Sequence, residues 1–258
     1  MEKKRTETPL RRALEEYIDA GWARLHMPGH KGAPIEPFGP LAAYDLTEVE
    51  GTDSLFEDDG PLKELEEIFT QLYGTRSSVI SAGGSTLCIQ AMLRLGAREG
   101  GKVIAGRNIH AAAVNAMALL GLEPVWVYPQ RDAEERLIGR IAPEDVAAAL
   151  QRESDICAVY ITSPDYFGVM SDIEGIAEVA HAHGVPLLVD NAHGAYLHCR
   201  PAPAHPRDEG ADLCCDSAHK TLPVLTGGAC LHLGHGLLKA EAGEVRAALS
   251  LFGSTSPS

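Results

Sequence analysis

Short apolar runs alternate with helical patterns along most of the chain. Strand-like runs are predicted at 78–82, 102–105, 124–128, 157–162, 186–190, 212–215 and 228–233. Between most of them, apolar residues recur at helical spacing and predict helices at 87–95, 111–120, 143–150, 173–183 and 237–249. Strands that alternate with helices of this length are typical of a largely parallel sheet covered on both faces. The predicted fold class is therefore α/β with three layers.

The N-terminal part of the chain lacks this alternation. One helix is predicted to begin at Pro9 and to end before Gly21, and another begins at Pro61. The sequence between these two helices is rich in Gly, Pro and acidic residues, which predicts an ordered loop. We therefore divide the chain into an N-terminal segment, 1–60, and a large domain, 61–258.

The composition excludes several classes of partner. The 258 residues are 45% hydrophobic, and 36 acidic residues against 22 basic ones give a net charge of −14. Nucleic acids and anionic membranes attract basic patches, so neither is an expected partner. The sequence shows no secretory signal and no apolar run of membrane-spanning length. The six cysteines form no CxxC pair, which favours reduced thiols and a cytoplasmic protein.

Polar residues follow several predicted strands, where ligands bind in open parallel sheets. Gly84, Ser85 and Thr86 precede a helix, whose first N–H groups favour phosphate, although a tight turn explains the glycines equally well. His110 follows the second strand and is either a site residue or a helix cap. Asp190 follows an apolar run, and a carboxylate buried there needs a cationic partner.

Lys220 follows another apolar run, 213–215, so it should emerge where a buried strand ends. A lysine desolvated in this way can lose its proton near neutral pH and form a Schiff base with an aldehyde. A strand-end lysine that keeps its ammonium group in water is the alternative. An anion-binding turn, an imidazole, a buried carboxylate and an amine are together what pyridoxal phosphate requires.

Longer motifs extend this pattern over nearly the whole chain. They are His26-Met27-Pro28-Gly29-His30-Lys31-Gly32, Asp45-Leu46-Thr47-Glu48, Gly51-Thr52-Asp53-Ser54-Leu55, Gly83-Gly84-Ser85-Thr86, Arg107-Asn108-Ile109-His110, Val189-Asp190-Asn191-Ala192-His193-Gly194 and Ser217-Ala218-His219-Lys220-Thr221-Leu222. With these motifs the chain resembles the Orn/Lys/Arg decarboxylase family, pyridoxal-phosphate enzymes of the aspartate-aminotransferase fold.

The resemblance implies roles for individual residues. Lys220 matches the lysine that bonds the cofactor aldehyde, Asp190 the partner of the pyridinium nitrogen, and His110 the imidazole stacked on the ring; these three are the implied catalytic residues. The other implied cofactor-binding residues are Gly84, Ser85, Thr86, Ala192, His193, Ser217, His219, Ser254 and Thr255. The last two match a segment that reaches the phosphate of a neighbouring subunit, which implies a homodimer with shared sites.

The resemblance also implies the reaction, the decarboxylation of lysine, arginine or ornithine to a polyamine precursor. Family members continue past the last motif into a smaller C-terminal domain, so this chain is expected to lack that domain and to have an incomplete large domain. Two alternatives follow: a cofactor-binding fragment or assembly partner without turnover, and another pyridoxal-phosphate reaction such as aminotransfer.

Three positions depart from the family pattern. Ala111-Ala112 follow His110 where Lys-Ser is common, Asn191 stands where Glu is usual, and Asp165 stands where Thr is common. These departures affect the local tuning of the site rather than cofactor binding.

A zinc site is the remaining alternative from the sequence. Its ligands would be His181, His183, His193 and His198. His181 and His183 are two apart on a predicted helix and so face different ways. We therefore expect mostly exposed histidines and no metal.

Overall fold

A computed structural model describes residues 8–57, 59–130, 139–202, 204–254 and 256. The chain forms two compact units, one that runs to Gly74 and includes Ser254, and one at Thr75–Gly253. The division lies later in the chain than residue 60, so the helix that begins at Pro61 belongs to the first unit. The domain boundary at residue 60 stays a prediction.

The second unit contains all the strands that the structure describes. They are β1 (Ser77–Ser81), β2 (Lys102–Gly106), β3 (Glu123–Val127), β4 (Ile156–Thr162), β5 (Leu187–Asp190), β6 (Leu213–Asp216) and β7 (Ala229–Leu233). The α-helices of the two units are α1 (Pro9–Asp19), α2 (Pro61–Tyr73), α3 (Gly84–Gly96), α4 (Ala111–Leu119), α5 (Pro143–Arg152), α6 (Ile173–Ala182), α7 (Ala218–Thr221) and α8 (Ala242–Ser250). Short 3₁₀ helices lie at Pro40–Ala43 and Ala195–Cys199. None of the described helices is both long and apolar enough for a membrane span.

The seven described strands form one sheet in the order β1-β7-β6-β5-β4-β2-β3. Strand β7 pairs antiparallel with both β1 and β6, while the other neighbours are parallel. Six of the seven described strands therefore run in one direction, and their carboxyl ends meet at one edge. This confirms the predicted α/β fold with a mostly parallel sheet.

The core lies between the sheet and its helices. Its buried side chains include Ile104, Ile161, Ile176, Leu187 and Val189, none more than 1% exposed. Central strands β4 and β5 are apolar on both faces, as expected where helices cover both sides of a sheet. Burial of such side chains stabilises the fold by roughly 1.5–3 kcal/mol each.

The helix predicted at 237–249 begins later than expected. It starts at Ala242, because the carboxylate of Glu241 accepts from the backbone of Glu244, and the Glu244 carboxylate accepts from the N–H of Glu241. This reciprocal capping fixes the first turn. The apolar residue Leu237 had extended the helical pattern in the sequence beyond the true start.

In the first unit, loop residues of two motifs make hydrogen bonds to other residues of the same unit. Asp53 accepts from the backbone N–H groups of Gly60, Leu62 and Lys63, at 3.0, 3.1 and 3.4 Å, and so caps α2. His30 Nε2 lies 2.9 Å from a carboxylate oxygen of Asp45. These motifs therefore have local structural partners within their own unit.

At the opposite edge of the sheet from the strands' carboxyl ends, Asp212 joins three elements. Its fully buried carboxylate accepts from His181 Nε2 at 2.7 Å, from Leu187 N at 2.8 Å and from Leu238 N at 3.0 Å. The contact connects α6, β5 and the segment before α8. Removal of the carboxylate would leave two backbone N–H groups without these acceptors.

We predict that Asp212→Ala lowers the free energy of unfolding by about 3 kcal/mol, because buried donors that lose their acceptor keep their full desolvation cost. Urea denaturation measures this change. The matched control is Asp145→Ala, an exposed aspartate in the first turn of α5, for which we expect a loss of no more than about 1 kcal/mol. Equal losses in the two variants would contradict the role given to Asp212.

Candidate active site

The buried carboxylate of Asp190 lies at the carboxyl end of β5, with only 2% of the residue exposed. Oδ1 accepts from Ala192 N at 3.1 Å, and Oδ2 accepts from the hydroxyl of Thr162 at 3.4 Å. Burial raises the pKa of Asp190, while the Ala192 N–H and the electrostatic influence of Lys220, His193 and His110 oppose this rise. These neighbours together do not offset the burial of the carboxylate.

Lys220 lies in α7, four residues after the end of β6. Its Nζ is 3.1 Å from His193 Nε2, and the side chain is exposed. Of the two settings considered from the sequence, a desolvated lysine and a strand-end lysine in water, the chain shows the second. The helical turn of α7 carries Lys220 away from the buried strand, so a hydrogen bond to an imidazole takes the place of desolvation.

The tautomer of His193 follows from its two partners. Its Nδ1 faces the carbonyl oxygen of Pro164 at 3.4 Å, and a carbonyl accepts only. Nδ1 therefore carries the proton, and Nε2 presents a lone pair to the Lys220 ammonium group. The exposed ring of Tyr166 meets the His193 ring edge-on, with centroids 6.1 Å apart.

The glycine-rich turn before α3 lies at the same edge of the sheet. Gly84 has a φ of +70°, and its N–H donates to the carbonyl of Gly227 at 2.7 Å. Ser85 and Thr86 follow in the first turn of α3, where N–H groups have no intrahelical partner. His219 Nδ1 accepts from Gly227 N at 3.3 Å, so Gly227 connects this turn to the helix that carries Lys220.

His110 caps α4, since its Nδ1 accepts from Ala112 N at 3.1 Å. The capping role considered from the sequence is therefore present, and the exposed ring also lies within electrostatic range of Asp190. Ala192 is buried and holds Asp190 through its backbone. Stacking of His110 on a cofactor ring stays a prediction.

One of the two residues implied to reach a neighbouring subunit is described by the structure. Ser254 is exposed, belongs to the first unit, and its hydroxyl accepts from Ser256 N at 3.1 Å. Thr255 lies outside the described residues. Their role stays a prediction.

The four histidines of the alternative zinc site have separate partners. His181 contacts Asp212, His183 contacts the carbonyl of Val179, His193 contacts Lys220, and His198 lies 3.7 Å from Asp208. His183 is exposed, whereas His181, His193 and His198 are partly buried, so the expectation of mostly exposed histidines is wrong.

Sequence reasoning missed several residues around Asp190. Tyr160 on β4 is fully buried, and burial together with the charge of Asp190 raises the pKa of its phenol. Cys215 Sγ lies 3.8 Å from Asp190 Oδ1. Both belong to apolar strand runs, where the sequence gives no signal that separates a site residue from a core residue.

A second buried aspartate, Asp216 at the end of β6, was also missed. It contacts Asn191, His205 and His232. The signal was present, because Asp216 follows an apolar run as Asp190 does. The histidines come from distant segments, so the sequence could not show that they meet.

The polar side chains at the carboxyl edge of the sheet fit pyridoxal phosphate. The hydroxyl of Ser217 is buried and has no hydrogen-bond partner among the described residues, although it lies in the turn that leads to Lys220. A buried hydroxyl without a partner is costly and is suited to a polar ligand group. The raised pKa of Asp190 likewise fits a cationic partner such as a protonated ring nitrogen.

Comparison with known proteins relates the chain to one family of decarboxylases. The family model described as Orn/Lys/Arg decarboxylase, major domain, matches residues 8–258. An arginine decarboxylase of Bacillus subtilis is 31% identical over 98% of this chain and 53% of its own length. An uncharacterized protein of the same organism, YaaO, is 34% identical over 88% of this chain and 48% of its own length. The chain thus spans about half the length of these curated relatives.

Solved structures show the same fold. Lysine decarboxylase A from Pseudomonas aeruginosa superposes with a TM-score of 0.82 at 22% identity, over 96% of this chain and 38% of that one. Because the family model covers nearly the whole sequence, the chain belongs to the Orn/Lys/Arg decarboxylase family.

Proposed function

We propose that this chain binds pyridoxal phosphate through Lys220 and decarboxylates a basic amino acid, which is lysine, arginine or ornithine. One observation carries the proposal: the Lys220–His193 pair and the buried Asp190 meet at the carboxyl edge of the sheet. Family membership supports the reaction class, and the proteins named above include an arginine decarboxylase and a lysine decarboxylase.

Residues at this edge would supply the contacts that the cofactor needs. Asp190 would pair with the ring nitrogen, His110 would cover the ring, and the Ser217 hydroxyl with the N–H groups of Ser85 and Thr86 would bind the phosphate. When bound, pyridoxal phosphate supplies an aldehyde that condenses with amines and a ring that accepts the electron pair released with CO2.

The Lys220–His193 pair can move the protons. Lys220 Nζ must lose a proton before its lone pair can attack an aldehyde, and His193 Nε2 lies 3.1 Å away to accept it. The contact of Nδ1 with the Pro164 carbonyl keeps the accepting tautomer in place. After CO2 leaves, Lys220 Nζ can return a proton to the substrate's α-carbon and draw a replacement from His193.

Asp190 supplies a fixed negative charge. Its Oδ1 and Oδ2 each accept a hydrogen bond, from Ala192 N and the Thr162 hydroxyl, which hold the carboxylate in one orientation. A carboxylate held in this way favours the protonated form of a facing nitrogen base. This charge would keep the ring electron-poor throughout the reaction.

The proposal includes a homodimer in which Ser254 and Thr255 contact the neighbouring subunit's phosphate. The resemblance to the family is what supports this part. Cofactor binding without turnover, and other pyridoxal-phosphate reactions such as aminotransfer, are the alternatives that the assay below separates.

We predict that borohydride treatment of the protein with pyridoxal phosphate places a stable pyridoxyl label on Lys220. Borohydride reduces the carbon–nitrogen bond that a lysine forms with an aldehyde, and peptide mass mapping locates the label. The protein should also release CO2 from at least one of lysine, arginine and ornithine. Lys220→Ala should abolish both results.

The matched control is Lys239→Ala, an exposed lysine of the same unit, which should keep the label and the turnover. A label at another lysine would refute the role of Lys220. A label at Lys220 without CO2 release would support cofactor binding alone, and keto-acid production would support aminotransfer.

We predict that Asp190→Asn keeps or raises the stability of the cofactor-free protein while it weakens the binding of pyridoxal phosphate. The pKa of Asp190 is raised above its ordinary value of 3.8, so its contribution to stability is present below about pH 4 and is lost as the pH rises through the folded-state pKa. Asparagine does not ionise, so the cofactor-free variant should resist urea at pH 7 at least as well as the wild type, with the difference shrinking toward pH 4.

The same variant should bind pyridoxal phosphate more weakly by about 2 kcal/mol or more, the cost of a buried charge that loses its partner. Asp165→Asn is the control, a buried aspartate whose Oδ1 accepts from Phe167 N and Val169 N at 2.9 Å, and it should keep its cofactor affinity. Unchanged affinity in Asp190→Asn would contradict the pairing with the ring nitrogen.

A further inference from the structure

Asp216 is the centre of a buried hydrogen-bond network next to the candidate site. Its Oδ1 accepts from Asn191 Nδ2 at 2.5 Å, and both oxygens lie 3.1 Å from His205 Nε2. His232 Nε2 lies 3.3 Å from Oδ2. All four residues are at most 1% exposed, so the network is shielded from bulk solvent.

The network joins the two loops that carry the proposed catalytic groups. Asn191 directly follows Asp190 at the end of β5, and Asp216 directly precedes Ser217 and the helix of Lys220. The last backbone bond between these strands runs from Asn191 N to the Cys215 carbonyl, at 3.0 Å. The hydrogen bond from the Asn191 side-chain amide to the Asp216 carboxylate joins the two chain segments beyond this last backbone bond.

The protonation of both imidazoles follows from their second partners. The backbone N–H of Arg207 donates to His205 Nδ1 at 3.3 Å, which requires a lone pair there and a proton on Nε2. Burial lowers the pKa of His232, so its ring is neutral, and its Nδ1 lies 2.8 Å from the Ser78 hydroxyl. Both rings can therefore donate from Nε2 to Asp216.

Asp216 remains ionised within this network. Burial alone would raise its pKa, but the imidazoles of His205 and His232 outweigh burial and hold the pKa below its usual range. Three N–H donors on one buried carboxylate give a charge-assisted, geometrically fixed group.

The same three side chains also have the spacing of a metal site, with ligand atoms within 4.8 Å of one another. Coordination through His205 Nε2 would require the proton on Nδ1, where it would face the N–H of Arg207. The backbone therefore favours the hydrogen-bonded state over a bound metal.

We propose that Asp216 and Asn191 are positioning residues that fix the loop of Asp190 relative to the loop of Lys220. The inference rests on the proposed function for its catalytic meaning, and on the hydrogen bonds alone for the structural coupling. Asp216 acts through Asn191 on one side and through the turn at Ser217 on the other.

The structural coupling is tested on the cofactor-free protein by hydrogen exchange. In Asn191→Ala, the backbone amides of His219, Lys220 and Leu222 should exchange about tenfold faster or more, as expected for the loss of one hydrogen bond to a charged group. Amides of β2 should exchange as in the wild type. Asp216→Asn gives a second test if Asn191→Ala does not fold, and it should accelerate the same amides.

The control is Asn108→Ala, since Asn108 follows the end of β2 and has no contact with Asp216 among the hydrogen bonds of the described chain. It should leave exchange in α7 unchanged. Exchange in α7 that stays at the wild-type rate in Asn191→Ala, or that rises equally in β2, overturns the proposal.

Two further measurements complete the test. Asn191→Ala should weaken pyridoxal phosphate binding by about tenfold, the usual cost of a lost supporting contact behind a ligand-binding group. If the wild type does not bind the cofactor, the proposed function fails, while the exchange result still decides the coupling. Elemental analysis should find no stoichiometric metal, and one metal ion per chain that chelators remove would overturn the hydrogen-bonded network.

Discussion

The burial of Asp190 at the end of β5 is the constraint on which the candidate site depends. A carboxylate in this position costs free energy unless positive charge faces it. The carboxyl edge of the sheet brings Lys220 and His110 toward it from two other loops, while His193 follows Asp190 in the same loop. Because none of these groups offsets its burial, Asp190 keeps a raised pKa. The fold therefore maintains a carboxylate suited to a further cationic partner.

The aspartates at the ends of the adjacent strands β5 and β6 have pKa values that are shifted in opposite directions. Asp190 on β5 accepts one backbone and one hydroxyl hydrogen bond, whereas Asp216 on β6 receives N–H donors from Asn191, His205 and His232. Burial dominates the first pKa and raises it, while the donors dominate the second and lower it. The number of N–H donors, rather than burial itself, therefore separates a carboxylate available to a ligand from one committed to structure.

The sequence predicted the parts of the site that depend on short-range pattern. Alternating apolar runs predicted the parallel sheet, and the polar residue after each run identified Asp190 and Lys220 as strand-end groups. The same pattern could not distinguish Asp216 from Asp190, because His205 and His232 come from separate segments. It also left Lys220 open between a desolvated and an exposed setting, since a single turn of helix after β6 is too short to show a periodicity.

The exposure of Lys220 changes how its reactivity must arise. A lysine in a dry pocket loses its proton because its charge is poorly solvated, but an exposed ammonium group needs a base within hydrogen-bond reach. His193 is such a base only in the tautomer that the Pro164 carbonyl selects, and Pro164 belongs to the loop after β4. The protonation state of the proposed nucleophile is therefore set jointly by the ends of β4, β5 and β6, and a change in the relative position of any two of these loops alters it.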